Sequence, residues 1–216
     1  MGRRALPKLD PQVDVSGVLF SLEQLTPRMA FDEWFGGIAE LEIEVGSGKG
    51  LFLLNASERF PERNFLGNEL AMKYARLCAY RLAQQRRTNA RVIHGDGLKL
   101  FRDYLPDEIA AAVHVYFPDP WWKERHRKRR VMQASFLSDV HRVLKPGGIL
   151  HFWTDVEEYF QTTCDLIRAT VPLQGPQFVT EPNSLHDMDF RTHFERRMRR
   201  HDQPVFRSQF AKPAAS

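Results

Sequence analysis

The sequence predicts an α/β fold: a doubly wound, mostly parallel sheet with helices on both faces. Three observations predict it. Five strand-like segments alternate with helical patterns over residues 41–170, a glycine-rich turn joins the first strand to the first helix, and an acidic residue follows or ends every strand.

Residues 1–40 come before the alternation. Pro7, Pro11 and Pro27 interrupt them and Gly36-Gly37 closes them, which reads as a partly ordered N-terminal arm lying over the ligand face. Residues 41–216 read as one domain. In the first strand, 41–45, Leu41, Ile43 and Val45 alternate with Glu42 and Glu44. Further strands are expected at 64–67, 91–94, 111–117 and 148–154, with helices at 50–59, 70–87, 131–144 and 156–170. Lys145-Pro146-Gly147-Gly148 stops the helix at 131–144 and opens the next strand. The proline-broken tail from 171 carries two late strands, 177–180 and 205–210.

The chain has 216 residues, 43% hydrophobic and 27% charged, a soluble globular composition large enough to fold without disulfide or metal support. Of the two cysteines, Cys78 falls on an apolar helical face with Leu77 and Leu82, and Cys164 has no partner suggesting a metal site. Arg3 and Arg4 are followed by no apolar leader, and no run approaches membrane-span length, so the expected location is cytoplasmic. Net charge is only +4, yet the positive charge is concentrated. Arg125-His126-Arg127-Lys128-Arg129-Arg130 forms one block and Arg196, Arg197, Arg199 and Arg200 another, the pattern of a polyanion footprint.

Gly46, Gly48 and Gly50 follow the first strand at every second position. A dinucleotide fingerprint would need glycine at 51, where Leu stands, and a phosphate-cradling loop would need Ser or Thr after Lys49, where Gly50 stands. An acidic strand end followed by G-x-G-x-G resembles the first motif of the Rossmann-like, class I S-adenosylmethionine methyltransferases. In doubly wound sheets ligands sit beyond the carboxyl ends of the strands. Glu44, Glu69, Asp96, Asp119 and Asp155 all fall at such ends. Glu69 is 19 positions beyond Gly50, the separation at which a carboxylate takes ribose hydroxyls. By the same order Asp96 falls near the adenine and Glu44 near the charged methionine end.

The fourth strand runs into Phe117-Pro118-Asp119-Pro120-Trp121-Trp122-Lys123 and then the basic block. Prolines on both sides fix the backbone of Asp119, and the cations that follow put phosphate contacts beside a base-sized pocket. With Glu44 to Gly50, Gly67-Asn68-Glu69, His94-Gly95-Asp96, Thr154-Asp155 and Thr192-His193-Phe194-Glu195, this stretch resembles the bacterial tRNA (guanine-N7-)-methyltransferase family over most of residues 40–200. The resemblance implies a methyl donor, S-adenosylmethionine, held by Glu44, Gly46, Gly48, Glu69, Asp96 and Asp119. It implies substrate contacts from Lys123, Asp155, Thr192, His193, Phe194 and Glu195, RNA contacts from Arg125 to Arg130 (Arg125, His126, Arg127, Lys128, Arg129 and Arg130), and no metal. The expected partner is tRNA, modified at a guanine of the variable loop, with no membrane and a monomeric or homodimeric chain. Two positions depart from the family pattern: Trp122 stands where proline is usual, and Asn68 where an apolar residue is usual.

Guanine N7 has a lone pair and no proton to lose, so the chemistry needs alignment rather than a general base. Positive charge moves onto the purine as the methyl arrives. A carboxylate that accepts from N1–H and the 2-amino group therefore binds the transition state better than the ground state. Asp119, Asp155 and Glu195 are candidates, with Asp119 the expected catalytic residue. A methyltransferase acting on a base amino group or a small molecule, and an RNA-binding module with a vestigial cofactor fold, are the alternatives.

Overall fold

A computed structural model of the chain describes residues 6–28, 31–37, 39–180 and 191–214. Its eight strands form one sheet in the order β1-β4-β3-β2-β5-β6-β8-β7. The strands are β1 (Leu19–Ser21), β2 (Leu41–Val45), β3 (Asn64–Glu69), β4 (Ala90–His94), β5 (Ala110–Tyr116), β6 (Leu144–Thr154), β7 (Gln174–Phe178) and β8 (Phe206–Ala211). β1 to β6 pair in parallel; β8 runs antiparallel between β6 and β7. From β2 the chain steps outward through β3 to β4, then returns to place β5 on the other side of β2. That reversal opens a crevice at the carboxyl ends of β2 and β5.

The helices are α1 (Phe31–Phe35), α2 (Leu51–Arg59), α3 (Met72–Gln84), α4 (Gly97–Lys99), α5 (Ala134–Val143), α6 (Glu157–Thr170) and α7 (His193–Arg200). α4 is a single turn that widens into a π-turn over Leu100–Tyr104. Strand alternation sorts the core into two layers. Ile43, Leu66, Ile93, Val113 and Phe152 pack with Phe136 and Val140 of α5 and Phe160 of α6. Phe65, Val92, Tyr116 and Trp153 face the other way, onto Phe52 and Leu53 of α2 and Ala75, Cys78 and Leu82 of α3. Cys78 is a buried free thiol, as expected, and Cys164 is buried as well.

All five residues of β2 are buried, Glu42 and Glu44 included. Their alternation with apolar residues therefore does not mark a solvated face; both faces of this central strand are covered. Glu42 is neutralised in place, accepting from Arg63 Nη1 at 2.8 Å and lying 2.8 Å from His114 Nε2. Burial opposes its charge, but the His114 and Arg63 partners outweigh this and hold its pKa at about 2.

β1, α1, α4 with its π-turn, and α7 went unread in the sequence. β1 has three residues, too few for alternation, yet it extends the sheet by pairing with β4, while Leu22 just beyond it packs against Gly95. α1 and the π-turn are short. α7 reads His-Phe-Glu-Arg-Arg-Met-Arg-Arg, with only Phe194 and Met198 to mark an apolar face. The Thr192-x-x-Glu195 spacing was its one available signal: Thr192 Oγ1 caps the helix by accepting from Glu195 N at 3.0 Å.

The α2–α3 packing depends on Gly50. Its φ is +76°, and a Cβ added there would stand 2.3 Å from the buried Sγ of Cys78. Gly50→Ala should combine left-handed strain with an overlap that the core cannot relieve cheaply, a loss of about 2 kcal/mol or more. Thermal denaturation should show the midpoint falling by roughly 4–8 °C for a chain of this size; an unchanged midpoint would mean the packing there is not tight.

Candidate active site

Loops at the carboxyl ends of the parallel strands enclose a cleft of about 670 Å³. Gly46, Glu69, Asp96, Asp119 and Trp121 line it, with Tyr116 and Val131 among its apolar walls. Three of the five strand-end acids singled out from sequence, Glu69, Asp96 and Asp119, thus line one cavity, while Glu44 is buried at the end of β2. Asp155 is half-buried at the end of β6, the neighbour of β5.

The end of β3 organises the two loops beside it. The Asn68 carbonyl accepts from both Gly46 N and Ser47 N at 2.9 Å. Glu69 Oε2 accepts from Gly48 N and Oε1 from Ala71 N, each at 2.8 Å. On the other side Asn68 Nδ2 donates to Ile93 O at 3.3 Å and to Gly95 O at 3.0 Å, fixing the loop that presents Asp96. Asn68 thus ties β3 to the β4 loop, a bond an apolar side chain could not make. Asp96 itself caps α4, accepting from Leu98 N at 2.9 Å, and stays exposed. Gly46, exposed and at φ +81°, leaves the backbone open, with no atom within 4 Å of where a Cβ would stand.

Glu44 lies beneath this turn. It is buried, and its Oε2 has no hydrogen-bond partner. Burial, reinforced by the charge of Glu69, raises its pKa to about 8. A buried carboxyl short of a donor, under a glycine turn and beside a carboxylate, is a site with capacity for a positively charged group.

The loop after β5 turns sharply. Phe117 has φ +50° and Trp121 φ +43°, left-handed values for bulky residues. The Phe117 amide donates to Trp153 O at 2.8 Å, and its ring lies 4.9 Å from that of Phe194 on α7. Asp119 sits exposed between two prolines on the cleft wall. Arg130 secures the loop from behind, donating Nε to Pro120 O at 2.7 Å and stacking over Tyr159 at 4.7 Å.

The chain matches the family model described as "Putative methyltransferase" over residues 39–208. It is 46% identical to the tRNA (guanine-N(7)-)-methyltransferase of Rhodopirellula baltica, over 98% of this chain and 80% of that one. The chain belongs to the tRNA (guanine-N7-)-methyltransferase family. A relative of the same description from Shewanella putrefaciens is 36% identical over 69% of this chain and 66% of its own length. Among solved structures, one titled "Structure of an Antibiotic Related Methyltransferase" superposes with a TM-score of 0.60 at 13% identity, over 88% of this chain and 96% of that one. That likeness concerns the Rossmann-like class I methyltransferase fold.

In this methyltransferase the residues expected at the substrate divide by environment. Glu195 is fully buried: Oε2 accepts from Arg191 N at 2.7 Å, and Oε1 from Arg199 and Arg207 at 3.3 and 3.2 Å. With Thr192 it builds the start of α7 and so differs from the exposed Asp119. His193 reaches the glycine turn indirectly, its Nε2 lying 3.1 Å from Arg81 Nη1, which donates to Lys49 O at 2.8 Å. Neither Arg81 nor this link was marked by any motif. Phe194 packs on Phe117 and under Arg197, 4.5 Å from its ring centre. Lys123, Arg125 and Arg129 are exposed, and Arg129 lines the cleft. His126 is half-buried edge-on to Trp121, and Arg130 is engaged by the loop. The side chains of Arg127 and Lys128 lie outside the described set. Among the described residues no cluster could hold a metal, and no helix is long and apolar enough to cross a membrane.

Glu44 makes stability depend on pH. A carboxyl protonated in the fold but ionised when unfolded binds more protons folded, so stability falls as pH rises from its unfolded value near 4.5 toward about 8. Glu44→Gln should remove that fall and raise the melting midpoint at pH 8 by roughly 5 °C or more. Melting curves from pH 5 to 9 check this; parallel profiles for the two proteins would show that Glu44 is ionised at neutral pH.

Proposed function

We infer that this chain transfers a methyl group from S-adenosylmethionine to N7 of a guanine in the tRNA variable loop. The observation that carries the reading is Asp119, held between prolines on the wall of the cleft that Gly46, Glu69 and Asp96 also line, in a chain 46% identical to a protein of that activity.

The residues present fit the donor. Each Glu69 oxygen accepts one backbone N–H and keeps acceptor capacity for ribose hydroxyls. Asp96 is exposed on the adenine side of the same cleft, and the open backbone at Gly46 permits close approach. Glu44 supplies a negative charge for a cationic methionine end, which would draw the proton from its carboxyl. S-adenosylmethionine supplies an electrophilic methyl group on a sulfonium.

Asp119 acts on the acceptor. Its carboxylate accepts from N1–H and the 2-amino group, turning N7 toward the donor. As the purine becomes cationic those donors strengthen, and so does their attraction to Asp119. Asp155, at the end of the adjacent strand, is a second acceptor for the same edge. Glu195, buried and ion-paired to Arg199 and Arg207, acts by holding α7 and with it Phe194 beside the Asp119 loop. Exposed Arg125 and Arg129 supply contacts to the RNA backbone.

Incubation of bulk tRNA with radiolabelled donor should yield labelled 7-methylguanosine. tRNA carrying 7-deazaguanine at the target keeps both donors but has carbon at position seven. It should bind normally and accept no methyl group. Asp119→Asn should lower kcat at least tenfold, with tRNA affinity changed far less. Transfer to the deaza substrate would instead support methylation of a base amino group.

Replacing Arg125 and Arg129 together by Gln should weaken tRNA binding and reduce its salt dependence. The slope of log affinity against log salt should change by roughly 0.7–0.9 for each phosphate left unneutralised. Donor affinity, read by calorimetry, should hold. An unchanged slope would assign both arginines to the solvated surface.

A further inference from the structure

We propose that Trp122 stacks on an unpaired base of the bound tRNA, next to the guanine taken into the cleft. The proposal rests on the tRNA reading above. Trp122 is 63% exposed, and among the described residues no ring or cation packs on it. Its neighbour Trp121 behaves differently. Trp121 has a left-handed φ of +43°. Trp121 lines the cleft, with Arg129 stacked 5.2 Å from its ring centre and His126 edge-on at 5.7 Å. Trp122 is left facing outward beside the cavity mouth.

Its presentation is fixed rather than loose. Pro120 holds one side of the loop through Arg130, and the amide of His126 donates to Lys123 O at 2.7 Å on the other. Lys123, Arg125 and Arg129, which follow it in the chain, are exposed, and Glu124 is the one acid in residues 121–130. A rigid aromatic face on a cationic rim matches the chemistry of single-stranded nucleic acid, whose bases stack on aromatics while phosphates meet the cations. A base drawn from its stack into a pocket leaves its neighbour with an uncovered face, and Trp122 adjoins the cavity that would receive it.

The test uses the full chain, bulk tRNA, and the variants Trp122→Ala and Trp122→Phe. Loss of one stacked base should weaken tRNA binding by about 5- to 100-fold in Trp122→Ala, with Trp122→Phe retaining most of the affinity. Donor affinity and the salt slope should match the wild type, since no charge is removed. tRNA should quench wild-type tryptophan emission more than that of Trp122→Phe. Wild-type tRNA affinity in Trp122→Ala would overturn the proposal, as would equal losses in Ala and Phe, which would indicate a bond from the indole N–H. A Trp122→Ala variant that sediments as a smaller species with unchanged tRNA affinity would make this an interface between copies and overturn it too. Should the wild type label no tRNA at all, the reading of the cleft itself fails. A wild type that labels tRNA alongside an unmoved Trp122→Ala removes only the stacking role.

Discussion

The carboxyl end of β3 is the point on which the site depends. Through one carbonyl, one amide side chain and one carboxylate, Asn68 and Glu69 hold the glycine turn after β2 and the loop after β4. Backbone donors at a strand end are lost free energy unless paired, and here their partners are residues that line the cleft. The atoms that position the loops therefore also form the cleft wall. Gly97 belongs to this arrangement: a Cβ there would stand 2.6 Å from Asn68 Oδ1, so the loop after β4 closes on β3 only because that position is bare.

Charge buried at the centre of the sheet is treated in two ways. Glu42 is neutralised locally by Arg63 and His114, which in turn lies 2.8 Å from Tyr116 through Nδ1, making a satisfied network within the fold. Glu44, two residues on, has the same burial without the same partners. One is structure. The other is a destabilising feature with an oxygen left unpartnered within the fold, the pattern expected where a fold accepts strain for binding.

α7 shows how the second half of the chain serves the first. Its core-facing side is an acid, Glu195, in place of an apolar stripe, and it is held by ion pairs to Arg199 on the helix and Arg207 on β8. From that anchor Phe194 braces Phe117, and His193 meets Arg81 above the glycine turn. The loop bearing Asp119 and the glycine turn after β2 are therefore supported by the same short helix.

By itself the sequence determined the parallel α/β frame, because strand and helix periods recur with turn signals between them, and it located the strand-end acids, because chain order alone puts those ends on one rim. Its resemblance to a family rested on contiguous motifs such as Phe117 to Trp121. What it could not decide was environment. Glu42 and Glu44 are indistinguishable in the pattern, since their difference lies in His114 and Arg63, brought close only by the sheet. Thr192 to Glu195 also start α7, Thr192 as its cap and Glu195 buried in ion pairs, a structural part that the motif's chemistry alone does not reveal. β1 is too short to carry a period and exists through its pairing with β4. Trp121 and Trp122 were equal letters until a left-handed backbone turned one into the cleft and left the other in solvent. Local periodicity is written in neighbours along the chain; burial, charge pairing and side-chain direction come from residues far apart in it, and only tertiary structure sets those.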